Sequence, residues 1–334
     1  MDGLLVIDKP AGPTSHGVVA RVRRALGERR IGHTGTLDPA ATGVLPLVLG
    51  RATRLARFLS ASDKSYDAVF RLGSSTDTND AEGAAIGPSY QGPLPSREVI
   101  DRALDAFRGI FLQQPPAYSA KKIDGERSYR LARAAARQRS FTGAKALLPA
   151  RTDADASPET ARVSRRRSPD PVSVTVGAID IVRVDGDRVT VRVTCSAGFY
   201  VRALAHDLGE QLGIGAHLLS LRRTRSGDVT LDQALALDAI EQDPGRGLRA
   251  VVPLSQMLPG LASVMLTSEG VRRAVHGRDI GPADLEKGVR PLFGGDLEKG
   301  PYPFFVRLVD PGGDLVAIAS PAASGLLHPA VVLM

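Results

Sequence analysis

The sequence predicts a mixed α+β fold with a β-rich tail, and three observations carry that expectation. Amphipathic, capped segments alternate with strand-like runs through the first two thirds of the chain. A hairpin signal stands at 179–195, where an apolar run and the alternating Val189, Val191, Val193 and Cys195 flank Asp185-Gly186-Asp187. From about Leu261 the chain breaks into short apolar runs, such as 304–309 and 315–318, cut by Gly and Pro.

The elements follow in order. Residues 4–7 read as a short buried strand. Thr14 or Ser15 caps a helix whose apolar face is Val18, Val19, Val22 and Leu26, with Gly27 as its stop. Residues 45–49 suit a core strand and 52–59 a helix. Tyr66, Ala68, Phe70 and Leu72 alternate with Asp67, Val69 and Arg71, which predicts a strand with one face more buried. Ser96 caps a helix with Ile100, Ala103, Leu104 and Phe107 on one side, ended by Gly109. Residues 138–171 are rich in Arg, Ala, Ser, Thr and Pro without sustained periodicity, and read as a long, exposed, partly disordered insertion. Beyond the hairpin, a helix turns Val201, Leu204, Ala205, Leu208 and Leu212 inward and stops at Gly213. A composition break follows at 243–249. The pentapeptide Asp-Leu-Glu-Lys-Gly occurs twice, at 284–288 and 296–300, too short and too few for a solenoid.

With 334 residues, 43% apolar and 24% charged, the chain can bury a large core and form more than one domain. No apolar run reaches the length of a membrane span, and the N-terminus carries no basic leader. The single cysteine, Cys195, excludes an internal disulfide and a cysteine metal cluster, and is expected as a small core hydrophobe. Six scattered histidines show no zinc-ligand spacing. A cytoplasmic, metal-free protein is the simplest expectation. The net charge of +7 favours a polyanionic partner. Residues 130–167 hold ten Lys or Arg against three acids, an excess equal to that of the whole chain. A solvated loop accounts for this run, and contact with an RNA backbone is the added expectation.

The densest chemistry lies in Gly32-His33-Thr34-Gly35-Thr36-Leu37-Asp38-Pro39-Ala40-Ala41-Thr42-Gly43. Glycine turns the backbone where a Cβ would clash. Pro39 fixes its own φ and keeps Asp38 out of helical geometry. A shaped loop presenting one carboxylate is expected. On spacing alone it reads first as a plain turn whose carboxylate accepts local backbone bonds, turn chemistry being far commoner than catalysis.

This segment, continued as Val44-Leu45-Pro46-Leu47-Val48-Leu49-Gly50-Arg51-Ala52-Thr53-Arg54, resembles the signature of the TruB family, the bacterial tRNA pseudouridine synthases. The resemblance runs, in the family's order, through nearly the whole chain. It includes Leu4-Leu5-Val6-Ile7-Asp8-Lys9-Pro10, Asp63-Lys64-Ser65-Tyr66 and Gln114-Pro115-Pro116-Ala117-Tyr118-Ser119-Ala120-Lys121-Lys122. It continues in Cys195-Ser196-Ala197-Gly198-Phe199-Tyr200-Val201-Arg202 and Gly215-Ala216-His217-Leu218. The resemblance implies a pseudouridine synthase catalytic fold over about 1–250, with a central, mostly antiparallel sheet. It implies a small PUA-like β-barrel over 261–334 that contacts RNA. The family's thumb loop is shorter than the basic 138–171 stretch.

The roles implied by resemblance are these. Asp38 is catalytic in isomerising the T-loop uridine, position 55 of tRNA, without a cofactor. The carboxylate acts ionised, as nucleophile or base. Arg202 is its cationic partner, since a guanidinium stays charged and holds a carboxylate in direction. Tyr66 stacks on the flipped base and handles a proton, and Tyr200 lines the pocket. His33 enters the RNA loop in place of the flipped base. Lys9, Lys64 and Lys121 are expected on phosphates, each equally readable as a surface lysine. The partner is the tRNA T-stem-loop and the protein a monomer. An RNA chaperone without chemistry, or an enzyme with a different RNA target, are the alternatives.

Overall fold

The computed structural model describes residues 1–116, 118, 122–123, 126–127, 169–286, 305–322 and 324–334. The basic stretch expected at 138–171 lies outside the described residues up to 168, as does Lys121. The chain divides into two compact units, one of residues 1–62 with 224–334 and one of residues 63–223. The first is discontinuous in sequence.

The first unit opens with Gly3–Lys9 (β1), Ser15–Leu26 (α1), Ile31–His33 (β2) and Thr42–Leu49 (β3). β1 runs antiparallel to β3 from Gly3↔Leu49 to Lys9↔Gly43, and β2 runs antiparallel to β3. Both are nearly continuous apolar runs, as strands buried on both faces require. Thr14 starts α1: its hydroxyl accepts a hydrogen bond from the Gly17 amide at 2.9 Å, meeting one of the first-turn donors. Gly27 ends it with φ 66°. The helix expected over 52–59 is split into a 3-10 turn, Gly50–Leu55, and a short helix Ala56–Ser60 (α2).

The second unit holds Lys64–Leu72 (β4), the small hairpin Ser75–Thr76 (β5) and Ala85–Ile86 (β6), Arg97–Leu104 (α3) and Gly109–Gln113 (β7). Lys122–Ile123 (β8) and Glu126–Arg127 (β9) pair with each other. Then come Val172–Asp185 (β10), Arg188–Cys195 (β11), Val201–Leu212 (α4) and Ala216–Ser226 (β12), whose last three residues belong to the first unit. The strands lie in the order β12–β4–β11–β10–β7. β11 is antiparallel to both its neighbours. The expected hairpin is thus present, and the alternation of β4 is realised: Tyr66, Ala68, Phe70 and Leu72 are buried between more exposed neighbours. α3 differs at both ends from expectation. The Ser96 hydroxyl bonds Glu98 rather than capping the helix, and the helix gives way at Leu104 to a 3-10 turn, with Gly109 opening β7.

The chain then returns through Val229–Thr230 (β13), Leu235–Ala236 (β14), Leu237–Gln242 (α5), Pro244–Arg249 (α6) and Val252–Pro253 (β15). β14 pairs parallel and β15 antiparallel with β1. Ala262–Met265 (β16), Ser268–Val275 (α7), Val306–Val309 (β17), Leu315–Pro321 (β18) and Leu327–Val332 (β19) complete it. These strands form a separate sheet in the order β16–β17–β18–β19, parallel at its first pair and antiparallel after. The β-rich tail is therefore a small sheet. It shares one core with the front of the chain, where Leu4, Val6, Val44 and Val48 pack with Val309, Leu315, Ile318 and Leu333. Each such side chain contributes about 1.5–3 kcal/mol by leaving water.

Two glycines near α4 separate backbone strain from crowding. Gly213 closes α4 at φ 69°, and a Cβ there would meet nothing within 4 Å. Gly213→Ala should lower unfolding free energy by about 1 kcal/mol, the left-handed penalty alone. Gly209 lies inside α4, where a Cβ would overlap the Ala216 amide nitrogen. Gly209→Ala should cost about 3 kcal/mol or more, because backbone cannot yield as a flexible side chain does. Urea midpoints for the two variants test the order.

Candidate active site

The Asp38 loop is built by its own unit. Gly35 and Gly43 take φ of 151° and 100°, conformations that L side chains resist, so the glycine-rich spacing is a steric requirement. The backbone before Asp38 is held by Ser15, which is buried: its hydroxyl donates to the Leu37 carbonyl at 3.0 Å and accepts from the Leu37 amide at 2.8 Å. Behind Asp38, the Ala41 amide closes a turn onto the Asp38 carbonyl at 3.1 Å, and the Gly12 amide donates to the Pro39 carbonyl at 2.9 Å. The local turn and the presented acid are therefore one structure, with Asp38 half-buried as the turn's first residue.

Lys9 corrects an expectation. In place of a phosphate-facing ammonium, the structure has a side chain with 0% exposure at the end of β1. Its Nζ donates to the carbonyls of Pro10 at 2.9 Å, Pro39 at 2.9 Å and Ala41 at 2.7 Å. Two of these carbonyls, those of Pro39 and Ala41, belong to the Asp38 turn itself. A buried charge is tolerable only when polar partners replace its water, and these carbonyls do so. Lys9 thus ties β1 to the loop.

Arg202 is the corresponding feature of the second unit. It lies in the first turn of α4 and is 7% exposed. Its Nη1 donates to the Thr78 carbonyl at 3.1 Å and stands 3.4 Å from Asp80 Oδ2, while its Nη2 donates to the Tyr118 carbonyl at 2.9 Å. The loop supplying Thr78 and Asp80 is fastened to the start of β12. There the Leu218 amide donates to the Asn79 carbonyl at 3.0 Å, and His217 Nδ1 lies 2.9 Å from the Ser74 carbonyl. Reading the sequence missed Asp80. The available signal was the run Thr76-Asp77-Thr78-Asn79-Asp80, dense in residues that bond their own backbone.

Tyr200 precedes α4, and its backbone is clamped from both sides by Gln113: the Tyr200 amide donates to Oε1 at 2.8 Å and Nε2 donates to the Tyr200 carbonyl at 3.0 Å. Gln113 is 1% exposed and is a second residue the sequence reading did not single out. Tyr66 sits on β4, buried, opposite Val193. Lys64, two residues earlier, is also buried, which removes it from the phosphate-facing role expected of it. Burial, with the Arg223 guanidinium next in weight, pushes its ammonium down to about 8. Cys195 is a buried strand residue, opposite Lys64. His33 ends β2, half-buried, opposite Leu47. Asp38, His33 and Lys9 belong to the first unit; Lys64, Tyr66, Tyr200 and Arg202 belong to the second. Among the described residues, no cluster of His, Cys, Asp or Glu could hold a metal ion, and no helix is long and apolar enough to cross a membrane.

Two outcomes follow from the buried cations. Lys9→Met should lower unfolding free energy by about 3 kcal/mol, since it leaves buried carbonyls without a donor, and urea denaturation reads this directly. Lys64 should titrate near 8, visible as one shifted resonance in isotope-methylated protein and lost in Lys64→Arg. An unfolded lysine holds its proton up to 10.5, so the folded chain binds fewer protons between about 8 and 10.5. This group's contribution to stability therefore rises with pH across that window, and Lys64→Met should remove the rise.

Residues 23–142 match the TruB family pseudouridylate synthase N-terminal domain, and residues 202–257 match the tRNA pseudouridylate synthase B C-terminal domain. The chain is 39% identical over 335 residues to tRNA pseudouridine synthase B of Solibacter usitatus, covering 100% of both chains. It is 40% identical over 332 residues to tRNA pseudouridine synthase B of Thermobifida fusca, covering 99% of this chain and 98% of the relative. Among solved structures, the Cbf5-Nop10-Gar1 complex contains a chain with TM-score 0.66 and 25% identity, covering 99% of this chain and 85% of that one. A further neighbour, from an H/ACA RNP bound to a substrate RNA containing 2'-deoxyuridine, has TM-score 0.65 at 23% identity and shares the fold. On this agreement along its whole length, the chain belongs to the TruB family of pseudouridylate synthases, enzymes of the isomerase class.

Proposed function

We propose that this protein converts uridine to pseudouridine in the T-loop of tRNA, at position 55, with Asp38 as the catalytic carboxylate. The observation that carries the reading is the bracing of the Asp38 turn by the buried ammonium of Lys9 and the hydroxyl of Ser15. An ordinary turn does not need a buried cation to hold it. A carboxylate that must meet one atom of an extruded nucleotide does, because small misplacements cost large factors in rate.

The isomerisation is redox-neutral. The C1′–N1 bond breaks, C1′ bonds to C5, the C5 hydrogen leaves to water and N1 gains a proton. The target base is flipped out of its loop to be reached. Asp38 acts ionised, as a nucleophile on sugar or base or as a base on the sugar. Arg202 is its proposed cationic partner; Tyr66 supplies the stacking face and proton handling, Tyr200 a pocket wall, and His33 the filler of the emptied stack. The small C-terminal sheet is the proposed PUA-like RNA contact. Folded RNA is read here through loop shape and extruded bases. The reading places the protein in the cytoplasm as a monomer.

Asp38→Asn is expected to abolish tritium release from tRNA labelled at uracil C5 while tRNA binding persists within about twofold. Release at the wild-type rate would remove Asp38 from the chemistry. Binding by the wild-type protein with no release at all would make it an RNA chaperone. Mapping pseudouridine in the treated tRNA fixes the position.

A further inference from the structure

The carboxylate of Asp80 has two differently engaged oxygens. Oδ1 accepts the Thr78 hydroxyl at 2.6 Å and the Glu82 amide at 3.1 Å. Oδ2 faces Arg202 Nη1 at 3.4 Å. That distance is long for a charge-assisted bond, whose usual range is about 2.7–2.9 Å, so the pair does not fix its own geometry. Something else must set the rotation of the carboxylate, and the short bond to Thr78 is on the opposite oxygen.

The backbone is shaped for the same end. Asn79, between the two residues, is left-handed at φ 61°, a conformation that Asn tolerates better than most side chains. The Thr76 hydroxyl donates to the Asp80 carbonyl at 2.7 Å, and Asp80 bridges in parallel to Leu218. The result aims the Thr78 carbonyl and the Asp80 carboxylate at one guanidinium nitrogen. Thr78 therefore reaches Arg202 twice, once by its carbonyl and once through Asp80.

We infer that Thr78 is a positioning residue: its hydroxyl sets the Asp80 carboxylate so that Oδ2 presents to Arg202 and holds the guanidinium in its working direction. It touches neither substrate nor reacting atoms, and acts through Asp80. The inference rests on the proposed role of Arg202 in the reaction. Its signature is a loss in the chemical step without a loss in RNA affinity, since second-layer partners of functional groups typically carry factors of about 10–100.

The test is a set of single-turnover rates and tRNA affinities in the full-length protein. Thr78→Val keeps the shape and removes the hydroxyl; Thr78→Ser keeps the hydroxyl. Thr78→Val should slow the single-turnover rate about tenfold with tRNA affinity unchanged, and Thr78→Ser should restore it to within about twofold. In an Asp80→Ala background, Thr78→Val should add nothing, because the group it orients is gone. Full additivity of the two changes, or a Thr78→Ser as slow as Thr78→Val, would overturn the inference. Arg202→Ala separates it from the reading beneath: a wild-type rate there removes Arg202 from the reaction, whereas a slow Arg202→Ala beside a wild-type Thr78→Val refutes the positioning role alone. Should Thr78→Val fold poorly by circular dichroism, the Thr78→Ala and Asp80→Ala cycle gives the same coupling readout.

Discussion

A positive charge taken out of water must be met by oxygen, and this constraint organises both units. Lys9 has no exposed surface and is met by carbonyls of Pro10, Pro39 and Ala41. Arg202 is nearly as buried and is met by the carbonyls of Thr78 and Tyr118 together with the Asp80 carboxylate. Main-chain oxygens carry partial charge and cannot move without moving the chain. A cation held by them is also a strut for the loops that supply them. Removing the cation strands several buried acceptors at once, which makes each arrangement all-or-none in character.

The same logic explains why these loops are irregular. A helix or a sheet spends its carbonyls internally, so it has few to offer a side chain. The Asp38 turn offers the Pro39 and Ala41 carbonyls to Lys9, and the Ser74–Asp80 stretch offers the Thr78 carbonyl to Arg202, in backbone that takes positive φ at Gly35, Gly43 and Asn79. Regular elements then fix the loops from behind: β1 through Lys9, α1 through Ser15, and β12 through Leu218 and His217. Precision at an irregular site is thus borrowed from regular neighbours.

What could be read from sequence was what repeats locally. The alternation of β4, the β10–β11 hairpin, the Thr14 cap and the Gly27 and Gly213 stops are decided by residues within a few positions of each other. Lys9 was misplaced because its acceptors at Pro39 and Ala41 lie 30 and 32 residues away, and nothing near a lysine announces such partners. Asp80 and Gln113 escaped for the same reason, acting 122 and 87 residues from the groups they hold. Loop composition singled out the Asp38 carboxylate, and resemblance to a family supplied its expected role and Arg202; no periodicity would have.

The discontinuity of the first unit bears on how the chain is made. Residues 1–62 leave the ribosome long before residues 224–334, yet Leu4, Val6, Val44 and Val48 share their core with Val309, Leu315, Ile318 and Leu333. At translation speeds of about 5–20 residues per second, the opening strands wait roughly 15–55 s for these partners while the intervening unit is synthesised. During that interval the apolar strands β1 and β3 stand without the late residues that complete their core, so the last stretch of synthesis closes what the first began.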